Sequence, residues 1–118
     1  MFASTVIDGR PEEAVSVRDL HHPTVREIDL TRVLFALSDP TRLTIVRELA
    51  AADDQPCGSF PVTVSKSTLS QHFAVLRDAG VIRTRVDGTQ RFQTLRRAEL
   101  DKRFPGLLDA VLAASPAR

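Results

Sequence analysis

A chain of 118 residues, 42% hydrophobic and 26% charged, has the size and composition of one globular domain. Its single Cys excludes an intrachain disulfide framework, no apolar run reaches the roughly 20 residues that span a bilayer, and six aromatics, all Phe, are few for a base-stacking platform. The net charge of +1 hides an uneven distribution: residues 1–30 carry three arginines against six carboxylates, net −3, whereas residues 83–103 carry seven basic against three acidic groups, net +4.

Residues 1–24 mix charges with Gly9 and Pro11 and lack sustained periodicity, which predicts a flexible N-terminal arm, with at most a short helical piece in PEEAVSVRDL. No basic start precedes an apolar core there, so a secretory signal is not expected and the cytoplasm is the expected compartment. The arm ends in His21, His22 and Pro23, and the two histidines are expected to be exposed.

The folded domain is expected over residues 25–114, followed by a C-terminal tail at 115–118. Leu30, Val33, Leu34 and Leu37 fall at i, i+3, i+4 and i+7, one face of a first helix. Ser38, Asp39 and Pro40 then stop that helix and open a second, because Ser or Asp accepts from exposed amides and Pro suits the first helical position. Leu43, Val46 and Ala50, flanked by Ile45 and Leu49, give the second helix a broad apolar stripe. DDQPCGSFPVTV, with Pro56, Gly58 and Pro61 close together, predicts irregular chain with at most one short turn.

SKSTLSQHFAVLRDAG follows. Ser65 as N-cap sets Val64 and Leu69 in the positions of a hydrophobic staple, Leu69, Phe73 and Leu76 form a buried stripe, and Gly80 with Val81 fits a Schellman stop after Leu76. VIRTRVDGTQRFQTL predicts a hairpin about Asp87-Gly88. A three-residue DGT loop puts Ile82, Thr84, Val86 and Phe92 on one face and Arg83, Arg85, Arg91 and Gln93 on the other; a two-residue loop sets Phe92 among the arginines instead. The former separates apolar from charged and is preferred. LRRAELDKRFPGLLDAVLAA predicts one last helix, with Pro105 at or near its start.

The third helix carries the chemistry that duplex reading requires. Lys66, Ser67, Thr68, Ser70 and Gln71 lie in its first turns, outside the apolar stripe, and a helix entering the major groove tip-first presents those turns to base edges and phosphates. Gln pairs with adenine in two hydrogen bonds, Lys reaches guanine acceptors or phosphate, and hydroxyls serve either. Arg83, Arg85 and Arg91 on the hairpin supply charge for the backbone, with Thr89 and Gln90 at its tip. The competing reading is a solvated helix start, where small polar side chains gather for local reasons. His72 reads as a partly buried, hydrogen-bonded residue rather than a base reader. Ser70 and His72 are two apart on a helix and face different directions, and no phosphate loop, paired acid site or metal spacing supports an enzyme.

The words LFALSDPTRLTIVRELA, VSKSTLSQHFAVLRDAGVI and RVDGTQRF, in this order and covering about two-thirds of the chain, resemble the ArsR/SmtB family of winged helix-turn-helix repressors. The resemblance implies a mainly α fold with a small β-hairpin wing (α+β). It also implies a homodimer that sets two recognition helices in successive major grooves of a two-fold symmetric operator in double-stranded DNA, with a small effector that weakens the grip. In such dimers the first and last helices meet, which here designates Leu30, Val33, Leu34, Leu37, Leu107, Leu108, Val111 and Leu112. Metal-sensing members carry paired thiols before the recognition helix or Asp, His and Glu on the last helix; this chain has QPCGSF and no C-terminal His, so no resident metal is expected. Cys57 is left as a passive loop residue, a redox-sensitive thiol, or a partner of His21 or His22 in an ion site. A winged-helix module that binds protein instead of DNA is the rival function.

Overall fold

The computed structural model describes residues 20–52, 55–56 and 59–114. Residues 1–19, which hold most of the expected arm, lie outside the described residues, as do Cys57 and the tail at 115–118. A 3₁₀ turn at Val25–Glu27 leads into α1 (Leu30–Ala36), α2 (Pro40–Ala51), β1 (Gln55–Pro56), α3 (Lys66–Ala79), β2 (Ile82–Asp87), β3 (Gln90–Leu95), α4 (Arg97–Arg103) and α5 (Leu107–Ala114). The three strands form an antiparallel sheet in the order β1-β3-β2.

Each of the first three helices begins where a short oxygen-bearing side chain meets its exposed amides. Asp29 accepts from the Arg32 amide, Asp39 from the Arg42 amide at 3.1 Å with Pro40 next in line, and Ser65 from the Thr68 amide at 3.2 Å. α3 stops at Gly80, which has φ +88°; the Val81 amide donates to the Leu76 carbonyl at 2.9 Å and the Gly80 amide to Arg77 at 3.0 Å. That is the expected Schellman pattern. Gly80 is doubly constrained, because a Cβ there would stand 2.6 Å from Ile28 Cγ1.

The core gathers Val33, Ala36 and Leu37 from α1 and its end, Ile45, Val46 and Leu49 from α2, and Phe73, Leu76 and Ala79 from α3. Ile28 ahead of α1, Val81, Ile82 and Leu95 of the wing base, and Leu100 and Leu108 behind extend it. At about 1.5–3 kcal/mol for each large side chain removed from water, this cluster is what holds α3 in place. Phe60 joins it from the connector, its ring 5.5 Å from that of Phe73 and tilted by 60°. Such a pair adds about 0.5–1.5 kcal/mol beyond its buried area.

Four expectations are corrected. The connector contributes a strand: Gln55 and Pro56 pair with Gln93 and Phe92 of β3, and Pro56 is tolerated because β1 is an edge. The wing closes through a two-residue Gly88-Thr89 loop, with Asp87 opposite Gln90 and Arg85 opposite Phe92. Gly88, at φ +65°, supplies the twist that two-residue hairpins demand. Gln93 therefore turns inward, where Thr84 Oγ1 donates to its Oε1 at 2.7 Å, and Phe92 turns outward beneath the Arg85 guanidinium, 4.5 Å from the ring centre. A satisfied polar pair inside and a cation over the ring outside offset the loss of apolar segregation.

The expected last helix is two helices, parted at Phe104–Gly106 where Gly106 takes φ +84°. Finally, Val33, Leu37 and Leu108, designated for subunit contact, are 1%, 7% and 2% exposed in the single chain and belong to its own core.

Candidate nucleic-acid interface

Lys66, Ser67, Thr68, Ser70 and Gln71 are all exposed in the first turns of α3. The helix is oriented by its opposite stripe, Phe73, Leu76 and Ala79, which is buried. Local bonding divides the exposed set. Ser65 Oγ donates to Thr68 Oγ1 at 3.0 Å and lies 3.3 Å from Ser67 Oγ, so the first two hydroxyls are drawn into the cap. Lys66, Ser70 and Gln71 stand beyond it as the outward donors and acceptors.

On the flank of this face lies a group that sequence reasoning missed. Arg42 of α2 is 8% exposed; its Nε donates to the Ala36 carbonyl at 2.6 Å and its Nη2 to the Phe35 carbonyl at 3.2 Å. These are carbonyls at the end of α1, which carry partial negative charge. Nη1 lies 3.1 Å from Nδ1 of His72, whose Nε2 is 3.9 Å from the Asp39 carboxylate. His72 is thus partly buried and partnered, as expected. The only hint of this network in the sequence is an arginine placed within the apolar stripe of α2.

The wing does not present its arginines as one row. Arg83 and Arg85 share the outer face with Phe92, whereas Arg91 sits opposite Val86 on the other face, a correction that follows from the two-residue loop. Arg83 is 3.4 Å from Glu99, and Arg85 is 3.8 Å from Asp87. Glu99 is gripped from behind by the buried Arg96 through bonds of 2.8 and 2.9 Å, and those bonds chiefly hold its carboxyl below the ordinary carboxylate range. Arg83 is consequently part-neutralised. Thr89 and Gln90 are exposed at the tip, as expected.

His21 is exposed, but His22 is not the free arm residue expected. Its Nε2 accepts from the Thr84 amide at 3.0 Å, covering a donor of the edge strand β2. Burial, then the charges of Arg83, Arg77 and Arg96 and of His21, push its pKa below 6.5. Pro23 beside it is buried, so the end of the expected arm packs on the domain. With Nε2 engaged, His22 keeps only Nδ1 for an ion. Among the described residues no three His, Cys, Asp or Glu side chains converge on a metal position.

Exposed apolar surface concentrates on α1: Leu30, Leu34 and Phe35 are 42%, 46% and 63% exposed. Phe35 was not anticipated. Its ring lies 5.4 Å from the Arg42 guanidinium. On the last helix, Leu107, Val111 and Leu112 are half-buried. Among the described residues no helix is long and apolar enough to cross a membrane.

Residues 37–85 match a family model described as a helix-turn-helix domain. An uncharacterized HTH-type transcriptional regulator, YceK of Bacillus subtilis (strain 168), is 34% identical over 83 residues, which is 68% of this chain and 83% of that protein. The crystal structure of the transcriptional repressor BigR from Xylella fastidiosa superposes with a TM-score of 0.59 at 28% identity, covering 75% of this chain and 88% of that one. An ArsR family transcriptional regulator repeats the fold at 24% identity, with a TM-score of 0.57 over 71% of this chain and 88% of that one.

Proposed function

The chain belongs to the ArsR/SmtB family of winged helix-turn-helix transcriptional regulators and is a DNA-binding regulator, and from that premise we propose that it is a dimeric repressor released by an effector. Lys66, Ser70 and Gln71 read base edges in the major groove, and Ser67 and Thr68 contribute to phosphate as well as to their cap. Arg85 and Arg91 supply charge to the DNA backbone from the two faces of the wing, Arg83 adds a reduced share, and Thr89 and Gln90 reach it from the tip. The observation that carries this reading is the outward, polar first turns of α3 above a buried stripe, with exposed wing arginines on the next element of the chain.

Leu30, Leu34 and Phe35 of α1, with Leu107, Val111 and Leu112 of α5, form the contact between two copies. An apolar group this exposed on a charged domain is the kind of surface a partner covers. The protein acts in the cytoplasm and performs no catalysis; both ring nitrogens of His72, next to Gln71 on α3, face Arg42 and Asp39. Residues 25–114 form the working domain, against which His22 and Pro23 pack. No residue of the structure is assigned to the effector.

Selection of duplexes from a random pool tests the reading, followed by gel shift at rising salt. The expected product is an inverted repeat with half-sites about one helical turn apart, and affinity that falls at least ~tenfold over a modest salt range. A pool that yields no common sequence, together with salt-insensitive binding, favours a protein-binding module and overturns it.

A further inference from the structure

We infer that Arg42, acting through His72, is a positioning residue that fixes the angle of α3 and thereby sets the preference for operator over other duplex. The inference rests on the DNA-reading role proposed above. Arg42, itself in the first turn of α2, spends its three nitrogens on two other elements: two on the end of α1 and one on His72 of α3, whose ring in turn faces Asp39, the cap of α2. A guanidinium only donates, so His72 Nδ1 accepts and the neutral ring carries its proton on Nε2, toward the carboxylate. One buried cation therefore joins the end of α1, the start of α2 and the second turn of α3.

Burying a charge is a poor route to stability, since an apolar residue of similar volume commonly does as well. What a hydrogen-bonded polar network supplies is a single orientation where apolar packing alone permits sliding. α1 and α3 pack against each other over a shared core of apolar side chains, Val33, Leu37 and Leu76 among them, which tolerate small shifts. Base-edge hydrogen bonds do not tolerate them, because donor and acceptor must meet within a few tenths of an ångström and near linearity. Phosphate contacts made by long arginines follow such a shift. His72 adjoins Gln71 and lies one turn after Thr68, so a change in the Arg42 network reaches the reading face directly.

The experiment compares operator and random duplex, each at a temperature where every variant is fully folded by circular dichroism. His72→Leu removes the acceptor and is expected to weaken operator binding by about tenfold while changing random duplex by no more than about twofold, a loss confined to base readout. His72→Asn keeps an oxygen acceptor near the place of Nδ1 and is expected to recover most of that loss. Arg42→Met joined to His72→Leu is expected to lose no more operator affinity than the worse single variant, since both break one network. If Arg42→Met does not fold, the two His72 variants still decide. Operator binding by His72→Leu that equals the parent, equal losses on both duplexes, or no recovery with His72→Asn overturns the inference. A parent protein that shows no preference among duplexes overturns the DNA-reading role itself, a result distinct from all of these.

Discussion

Gln71 and Arg85 stand on the same face of function but do different chemistry. The Gln71 amide offers a paired donor and acceptor at a fixed spacing, so Gln71→Ala is expected to cost about 1–3 kcal/mol on the preferred operator and to relax its sequence choice. Arg85 offers charge, so Arg85→Ala is expected to weaken every duplex alike and to lower the slope of log affinity against log salt by about one. Gel-shift titrations on operator and random duplex at several salt concentrations separate the two. His22 carries a pH dependence with a definite sign. Its folded pKa lies below the ordinary 6.5, so between those two values the unfolded chain binds more protons and stability rises with pH. The contribution is complete above 6.5 and is lost as pH falls through the folded pKa. Urea midpoints measured from about pH 7.5 to 5 are expected to fall with acidity, and His22→Asn to flatten that fall.

At the scale of elements, the ends of α3 were legible because each is written in neighbouring residues: Ser65 before its first turn, Gly80 and Val81 after its last. The wing was legible as a hairpin but not in register. Segregating apolar from charged residues argued for the longer loop, whereas the strands settle on the shorter one, because Gly88 suits a two-residue turn and Thr84 and Gln93 satisfy each other inside. Two glycines with positive φ separate these effects. Gly80→Ala meets both left-handed strain and the Ile28 side chain and is expected to cost about 2–4 kcal/mol by chemical denaturation. At Gly88 nothing lies within 4 Å of an added Cβ, so Gly88→Ala meets the strain alone and is expected to cost about 1 kcal/mol. The split of the C-terminal segment into α4 and α5 has a local signal: Pro105 marks a helix start, and Gly106 beside it, at φ +84°, also ends the helix before it.

For the whole molecule, the consequential revision is which apolar residues face outward. The i, i+3, i+4, i+7 pattern of α1 names one stripe, yet its members divide: Val33 and Leu37 close the core, while Leu30 and Leu34 remain open beside Phe35. Leu34→Glu is expected to convert a dimer to folded monomers, seen by sedimentation equilibrium, and to abolish binding to a two-fold operator while sparing the melting transition of each subunit. Leu108→Ala is expected to act oppositely, costing about 2–5 kcal/mol of stability through its cavity and leaving the association surface intact. A Leu108→Ala protein that melts as the parent does but sediments as a monomer reverses the assignment of these two residues.

By itself the sequence determined what depends on near neighbours: the helix caps, the apolar periodicity of the helices, the presence of a hairpin about Asp87-Gly88 though not its register, and the polar character of the first turns of α3. These follow from periodicity and from hydrogen bonds spanning three or four residues, which composition and spacing record directly. The tertiary structure alone decided the inward turn of Gln93, the burial of Val33, Leu37 and Leu108, the docking of His22 on β2, and the union of Arg42 with His72. Each joins residues beyond the reach of a single helical turn, nine apart for Thr84 and Gln93 and 30 or more for the histidine contacts, where the outcome is a balance between desolvation and partnering that no local pattern encodes.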